Sequence, residues 1–117
     1  MQLRNKEIFK IHADHCRVLA NASRLAIMAC LDVRDMSVGE IAEVIDLSLP
    51  AASQHLAALK GKHLVVSRKE GAKVFYSIPD KRIVQACRLI RTVLIDSMKQ
   101  RGEIAAELFS DGDIIIE

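Results

Sequence analysis

The chain has 117 residues, of which 50% are hydrophobic and 27% are charged, and its formal net charge is +2. This length suits one domain with a single core and leaves too little chain for a second core of ordinary size. No segment has the roughly 18 consecutive apolar residues of a membrane span, and the N-terminus lacks the apolar stretch of a signal peptide, so we expect a soluble, cytoplasmic protein without a membrane partner.

The charges are distributed unevenly along the chain. Between Ser53 and Ile78 there are five Lys or Arg residues against one acid, whereas Glu103 to Glu117 contains five acids and no base. A basic middle segment indicates a surface for an anionic partner. Aromatic residues make up only 3% of the chain and Trp is absent, which disfavours single-stranded nucleic acid because it is bound by stacking on aromatic side chains. The same composition does not exclude binding to a nucleic-acid duplex.

The N-terminal part of the chain predicts helices. Apolar residues near helical spacing predict a first helix within Gln2–Ala20, and Asn21 then offers a cap for a second, mostly apolar helix that includes Arg24–Leu31. Asp32–Met36 is predicted to be a charged connector.

Two short capped helices are predicted next. Ser37-Val-Gly-Glu40 has the spacing of a capping box, which predicts a third helix whose inward residues are Ile41, Val44 and Ile45. Ser48 as a cap and Pro50 in the first turn predict a fourth helix over Leu49–Lys60, ended by Gly61. At 100° per residue its core face comprises Ala51, Ala52, Leu56 and Leu59, and its opposite side Ser53, Gln54, His55 and Ala58.

The C-terminal part predicts a hairpin and a long helix. Leu64–Lys69 and Lys73–Ile78 are β-rich and are joined by Glu70-Gly71-Ala72, after which Pro79 stops the strand and Asp80 caps the next helix. The apolar pattern from Lys81 to about Phe109 predicts a helix of about 40 Å, which is longer than one small domain can cover. Part of its apolar face therefore needs a second subunit, and we expect one domain over residues 1–110 with an acidic and apolar tail at 111–117.

The order of these elements is that of a winged helix-turn-helix, a mainly α fold with five helices and a small β-hairpin, the wing. Four segments resemble the ArsR/SmtB family of dimeric bacterial transcriptional regulators over roughly residues 15 to 80: Leu19-Ala-Asn-Ala-Ser-Arg-Leu25, Ser37-Val-Gly-Glu-Ile41-Ala, Leu47-Ser-Leu-Pro-Ala-Ala-Ser53-Gln-His-Leu56 and Arg68-Lys-Glu-Gly71-Ala-Lys-Val-Phe-Tyr76. The resemblance implies a homodimeric repressor that binds operator DNA and leaves it when an inducer binds. The first and last helices are the expected dimer interface.

The predicted DNA-binding residues have suitable chemistry. Ser53, Gln54 and His55 supply donors and acceptors for base edges, and Gln can form a bidentate pair with adenine. Phosphate contacts are assigned to Ser48 at the helix start and to five basic residues: Lys60, Lys62, Arg68, Lys69 and Lys73.

The inducer is less well defined by the sequence. Relatives that bind soft metals on the third helix use thiols there, and this chain has none in Val38-Gly-Glu-Ile-Ala-Glu43. Relatives with a zinc site on the last helix use an Asp, which Asp80 matches, followed by a His, where this chain has the cation Arg82. No cofactor is therefore assigned with certainty, and a thiolate-bound metal ion is one alternative.

The cysteines and one histidine are the remaining sensor residues. Cys16, Cys30 and Cys87 are an odd number without CxxC spacing, so free thiols are expected rather than a disulfide framework. Cys30 and Cys87 lie on the two helices that thiol-sensing relatives use, and His12, His15 and Cys16 share one helical face in a spacing that suits a metal. Core packing is the competing interpretation for all of them.

Two other functions are retained as alternatives: a constitutive winged-helix regulator without an inducer and, more distantly, a small thiol-dependent redox enzyme. The enzyme is disfavoured because the sequence has no Gly-rich cofactor loop and no CxxC motif.

Overall fold

Residues 2–102 are described by the computed structural model, and they form five α-helices and a three-stranded antiparallel sheet. In chain order the elements are α1 (Glu7–Leu19), α2 (Ala22–Val33), β1 (Met36–Ser37), α3 (Val38–Val44), α4 (Leu49–Gly61), β2 (Val66–Glu70), β3 (Lys73–Ser77) and α5 (Arg82–Gln100). The predicted winged helix-turn-helix is confirmed, with α3 and α4 as the helix-turn-helix and β2 and β3 as the wing.

Three helices begin at the caps that the sequence predicts. The Asn21 side chain accepts a hydrogen bond from the Arg24 amide at the start of α2, at 3.1 Å. Ser37 and Glu40 form both halves of the capping box of α3, each at 3.2 Å. Ser48 Oγ accepts from the Ala51 amide at 3.2 Å at the start of α4. Each cap satisfies an amide that the helix itself leaves without a partner.

The helices α3 and α4 end in the same way. Asp46 follows α3 with φ at 55°, and the Leu47 amide donates back to the Ala42 carbonyl at 2.9 Å. His63 follows α4 with φ at 58°, and the Leu64 amide donates to the Leu59 carbonyl at 3.0 Å. These are Schellman turns. Gly61 is the last residue of α4, as predicted, whereas the left-handed residue of the turn is His63 and not the glycine.

The sheet has the order β1-β3-β2. Glu70 pairs with Lys73, so the hairpin loop is Gly71-Ala72, and the positive φ of Gly71 (61°) belongs to its first position. The predicted first strand starts too early, because Leu64 and Val65 are buried in the core and pairing begins at Val66. The segment predicted as a plain connector also contributes a strand, since Met36 pairs with Tyr76.

The core lies between α2, the helix-turn-helix and the base of the sheet. Its fully buried large side chains are Ile27, Met28, Leu31, Met36, Ile41, Leu56, Leu59 and Val65. Most residues predicted to face inward on α3 and α4 do so, including Ala52, Leu56 and Leu59, with Ala51 half-buried. Val44 is an error, because it is 41% exposed on the outer side of α3.

The last helix is shorter than predicted. It ends at Gln100, and Gly102 follows in the left-handed conformation (φ 71°), so α5 is about 28 Å long instead of 40 Å. The prediction of one continuous helix past Gln100 is wrong for this reason, and residues 103–109 of that prediction lie outside the described residues. The tail at 111–117 and the domain boundary at residue 110 lie outside the described residues. Within residues 2–102, no helix is long and apolar enough to cross a membrane.

Candidate nucleic-acid interface

The outer face of α4 is the centre of the candidate interface. Because Ala52, Leu56 and Leu59 are buried, the residues between them face away from the core. The exposed residues of this stripe are Pro50, Ser53, Gln54, Ala57 and Lys60. Ser53 and Gln54 are exposed, on the side of α4 that their spacing predicts. Ala58 was predicted for this side, whereas the exposed alanine is Ala57, which lies three and four residues after Gln54 and Ser53.

His55 lies beside this stripe and is half-buried. Its Nδ1 accepts a hydrogen bond from Nε of Arg24 at 3.2 Å, and the Arg24 guanidinium also donates to the Val18 carbonyl at 3.2 Å. These two hydrogen bonds tie α4 to the start of α2 and the end of α1. Arg24 was not among the predicted functional residues, because nothing in its local sequence indicates a contact with a histidine so far along the chain.

The predicted basic residues divide into two groups. Lys69 and Lys73 are exposed on the wing, and within residues 2–102 neither forms an ion pair. Arg68, in contrast, donates to Asp35 at 2.6 Å and to Glu70 at 2.9 Å, and its guanidinium lies 5.4 Å from the centre of the Phe75 ring. Hydrogen bonds from Arg68 to the two carboxylates raise the pKa of Arg68 further. Arg68 thus holds the wing, and the two lysines carry its unpaired charge.

Three further predicted residues lie at the ends of α4. Lys60 is exposed and donates to the Ser67 hydroxyl at 2.8 Å, which fixes its position without neutralising its charge. Lys62 is half-buried. Ser48 Oγ is occupied as the acceptor of the helix cap, and its hydroxyl proton remains available to a phosphate.

The residues at the start of α5 do not fit a zinc site. The Asp80 carboxylate accepts bonds from the backbone and side chain of Arg82, the shortest at 2.7 Å. These hydrogen bonds lower the pKa of Asp80 to about 2. A guanidinium has no lone pair for a metal and occupies the carboxylate that would supply one. Across residues 2–102, no three His, Cys, Asp or Glu side chains converge on a common point that suits a metal.

The sensor residues lie in different environments. Cys30 is buried at 3% exposure, and burial raises the pKa of its thiol above the usual value. Cys87 is half-buried against the core, whereas Cys16 is exposed on α1. His12 is exposed, and the half-buried His15 uses its Nδ1 in a hydrogen bond with the Ile11 carbonyl at 2.9 Å. The three residues His12, His15 and Cys16 are not brought together as a metal-binding group.

Comparison with known proteins places these features among regulators. The family model described as "Bacterial regulatory protein, arsR family" matches residues 21–67, from the cap of α2 into β2. The transcriptional regulator KmtR of Mycobacterium tuberculosis is 39% identical over 69 residues, which are 59% of this chain and 53% of KmtR. The transcriptional activator HlyU of Vibrio cholerae is 38% identical over 74 residues, 63% of this chain and 68% of HlyU. The match thus spans about half of KmtR and two thirds of HlyU.

A solved structure has the same fold. The homodimeric winged helix-turn-helix DNA-binding domain Mb0332 of Mycobacterium bovis, a fragment of residues 1–100, superposes with a TM-score of 0.75 at 28% identity, covering 86% of this chain and 93% of that one. The fold and the matched proteins are those of transcriptional regulators and not of enzymes, so the thiol-enzyme alternative finds no support.

Proposed function

Because the chain belongs to the arsR family of bacterial regulatory proteins, we propose that it is a cytoplasmic repressor that binds an inverted-repeat operator in duplex DNA as a homodimer. One observation carries the proposal: the exposed polar stripe of α4 is flanked on the wing by Lys69 and Lys73, which form no ion pair with any other residue in 2–102. A helix fits the major groove, and exposed lysines can neutralise phosphates.

Different residues of this surface are assigned to base edges and to phosphates. Gln54 and Ser53 meet base edges, where the Gln amide suits adenine. Ala57 is small enough for close approach and its methyl group suits a thymine methyl. Lys69 and Lys73 hold phosphates beside the groove, and Ser48 with the first amides of α4 holds another.

The homodimer is supported by apolar surface that one chain leaves uncovered. On α5 the residues Leu89, Ile90, Val93 and Leu94 are 56–66% exposed, and on α1 the residues Ile8, Phe9 and Ile11 are 49–53% exposed. Exposed apolar residues in such number on two helices are typical of an interface. A second copy related by a two-fold axis covers it and presents two recognition helices, so half-site centres are expected about 10 bp apart or a multiple of that.

We propose repression because it requires only the DNA-binding surface: a dimer bound over a promoter blocks access to that promoter without contacting the polymerase. HlyU is named an activator, and activation is the result that would correct this part of the proposal. Release by an inducer, either a thiol-reactive compound or a thiolate-binding metal, belongs to the proposal. A regulator without an inducer is the alternative.

The test is a fluorescence anisotropy titration of the upstream region of the gene with parent and variants. Gln54→Ala should relax sequence preference by about 1 to 3 kcal/mol at one base pair. Lys73→Ala should weaken all duplexes alike and reduce the slope of log K against log salt by about 1. Lys99→Ala removes the same charge from the last turn of α5 and should change neither quantity.

A promoter fusion to a reporter then gives the direction of control. Equal affinity of the parent, Gln54→Ala and Lys73→Ala for all duplexes would contradict the proposed interface.

A further inference from the structure

The contact between Arg24 and His55 does more than join two helices. Arg24 is held from both ends: its amide donates to the Asn21 side chain and its guanidinium donates to Val18 at the end of α1. The Val18 carbonyl is one of the last four of α1, which have no partner within the helix. The guanidinium that meets His55 is therefore fixed in position before any ligand arrives.

This contact determines which ring nitrogen of His55 carries the proton. A guanidinium has only donors, so the Nδ1 that accepts from Arg24 Nε must present a lone pair. The proton of the neutral imidazole then resides on Nε2. A histidine without such a partner exchanges between the two tautomers and offers either a donor or an acceptor at Nε2.

We propose that Arg24 is a positioning residue that fixes His55 as a hydrogen-bond donor beside the base-contacting stripe, so that His55 selects an acceptor on the DNA. The inference rests on the proposed function and deepens it. The acceptor is a purine N7 in the major groove or a phosphate oxygen. The amino groups of adenine and cytosine, which are donors, are rejected by a ring fixed in this way.

Two substitutions of His55 separate its two nitrogens. In His55→Asn the side-chain oxygen can replace Nδ1 as the acceptor for Arg24, and the distal donor is lost. In His55→Gln the amide nitrogen can replace the donor at Nε2, and the acceptor for Arg24 is lost. We expect His55→Asn to keep the thermal stability of the parent and to lose operator affinity at least about fivefold, the size of one good base contact. His55→Gln should retain more of the operator affinity and lose thermal stability.

The source of the acceptor is found by modifying the DNA. Purines under the recognition helix are replaced one at a time by their 7-deaza analogues, and phosphates by methylphosphonates. A base acceptor predicts that one 7-deaza substitution weakens the parent and leaves His55→Asn unaffected. A phosphate acceptor predicts the same pattern for one methylphosphonate. If every modification affects the parent and His55→Asn equally, the inference is overturned.

The positioning role of Arg24 needs a measurement that loss of packing alone would not change. Nitrogen-15 NMR of the free protein should show His55 with Nδ1 unprotonated, and Arg24→Ala should convert it into a mixture of tautomers. Arg24→Ala should lower the operator affinity of the parent several-fold and should not lower the affinity of His55→Asn any further. Arg24→Lys, which supplies another hydrogen-bond donor, should recover part of the lost affinity. A proton on Nδ1 in the parent, or additive effects of the two substitutions, would refute the positioning role.

The NMR arm uses no DNA. Failure of the parent to bind the operator would therefore reject the proposed function, while the tautomer of His55 would still decide whether Arg24 positions the ring.

Discussion

The three cysteines differ in how much thiolate they can expose. A thiolate is the form that attacks oxidants and binds metals. Burial both covers Cys30 and raises its pKa, with Arg34 opposing the shift only in part. Cys16 is exposed on α1. The predicted sensor pair of Cys30 and Cys87 therefore requires the packing of α2 against α5 to open before Cys30 can react.

This difference predicts an order of reaction. In the native protein, Cys16 should be labelled first by a maleimide, Cys87 later, and Cys30 only at the rate at which the core opens. Mass spectrometry of time points, with unfolded protein as the control in which all three react alike, measures that order. Labelling of Cys30 as fast as Cys16 would show that α2 opens readily.

Whether any of the three thiols senses an inducer is tested by release from the operator. Peroxide, polysulfide, zinc, cadmium and arsenite are added to the operator complex of the parent and of the triple Cys→Ser variant. Loss of response in the variant supports a thiol sensor. If the variant is released like the parent, or the parent stays bound throughout, the cysteines are structural.

The wing has different chemistry at its middle and at its tip. In the middle, where Arg68 is opposite Phe75, the Arg68 side chain links β2 to Asp35 in the segment after α2 and lies over the Phe75 ring. At the tip, Gly71-Ala72 closes the hairpin between Glu70 and Lys73. The middle of the wing is thus attached to the rest of the domain, whereas Lys73 at the tip is exposed.

A pair of substitutions separates these roles. Arg68→Ala should lower the free energy of unfolding only slightly, because its ion pairs are exposed, and should speed amide exchange in β2 and β3. Lys73→Ala should leave exchange unchanged and lower the salt slope of DNA binding. Hydrogen exchange by mass spectrometry and binding at several salt concentrations are the measurements. A lower salt slope with unchanged exchange in Arg68→Ala would instead assign Arg68 to a phosphate.

Elements whose signals are local could be predicted from the sequence. The caps at Asn21, Ser37 and Ser48 act over three residues, and the periodicity of α4 alone indicates that Ser53 and Gln54 are exposed. Features that depend on distant parts of the chain could not be predicted. The strand β1 forms because Met36 pairs with Tyr76, and the ion pair between Arg68 and Asp35 joins residues 33 positions apart.

For the whole molecule, the important relation is between α5, whose exposed face is the proposed dimer interface, and the winged helix-turn-helix. Lys81, just before α5, donates to the carbonyls of Leu31 and Asp32 at 3.1 and 3.0 Å, and Arg88 pairs with Asp32. These contacts join the start of α5 to the end of α2. Together with the hydrogen bond from Arg24 to His55, they form a chain of contacts from α5 through α2 to α4.

The exposed face of α5 gives the test of assembly. Ile90 is 61% exposed, so Ile90→Glu should leave the fold of one chain intact and place a charge in the proposed interface. Val33→Glu is the matched control, because Val33 is 57% exposed at the end of α2, outside the apolar faces of α1 and α5. Sedimentation at micromolar concentration should show a dimer for the parent and the control and a monomer for Ile90→Glu, with circular dichroism confirming that all three are folded. Since one chain reaches only one half-site, Ile90→Glu should also bind the full operator no more tightly than an isolated half-site. A parent that sediments as a monomer, or an Ile90→Glu variant that stays a dimer, would remove this face from the interface.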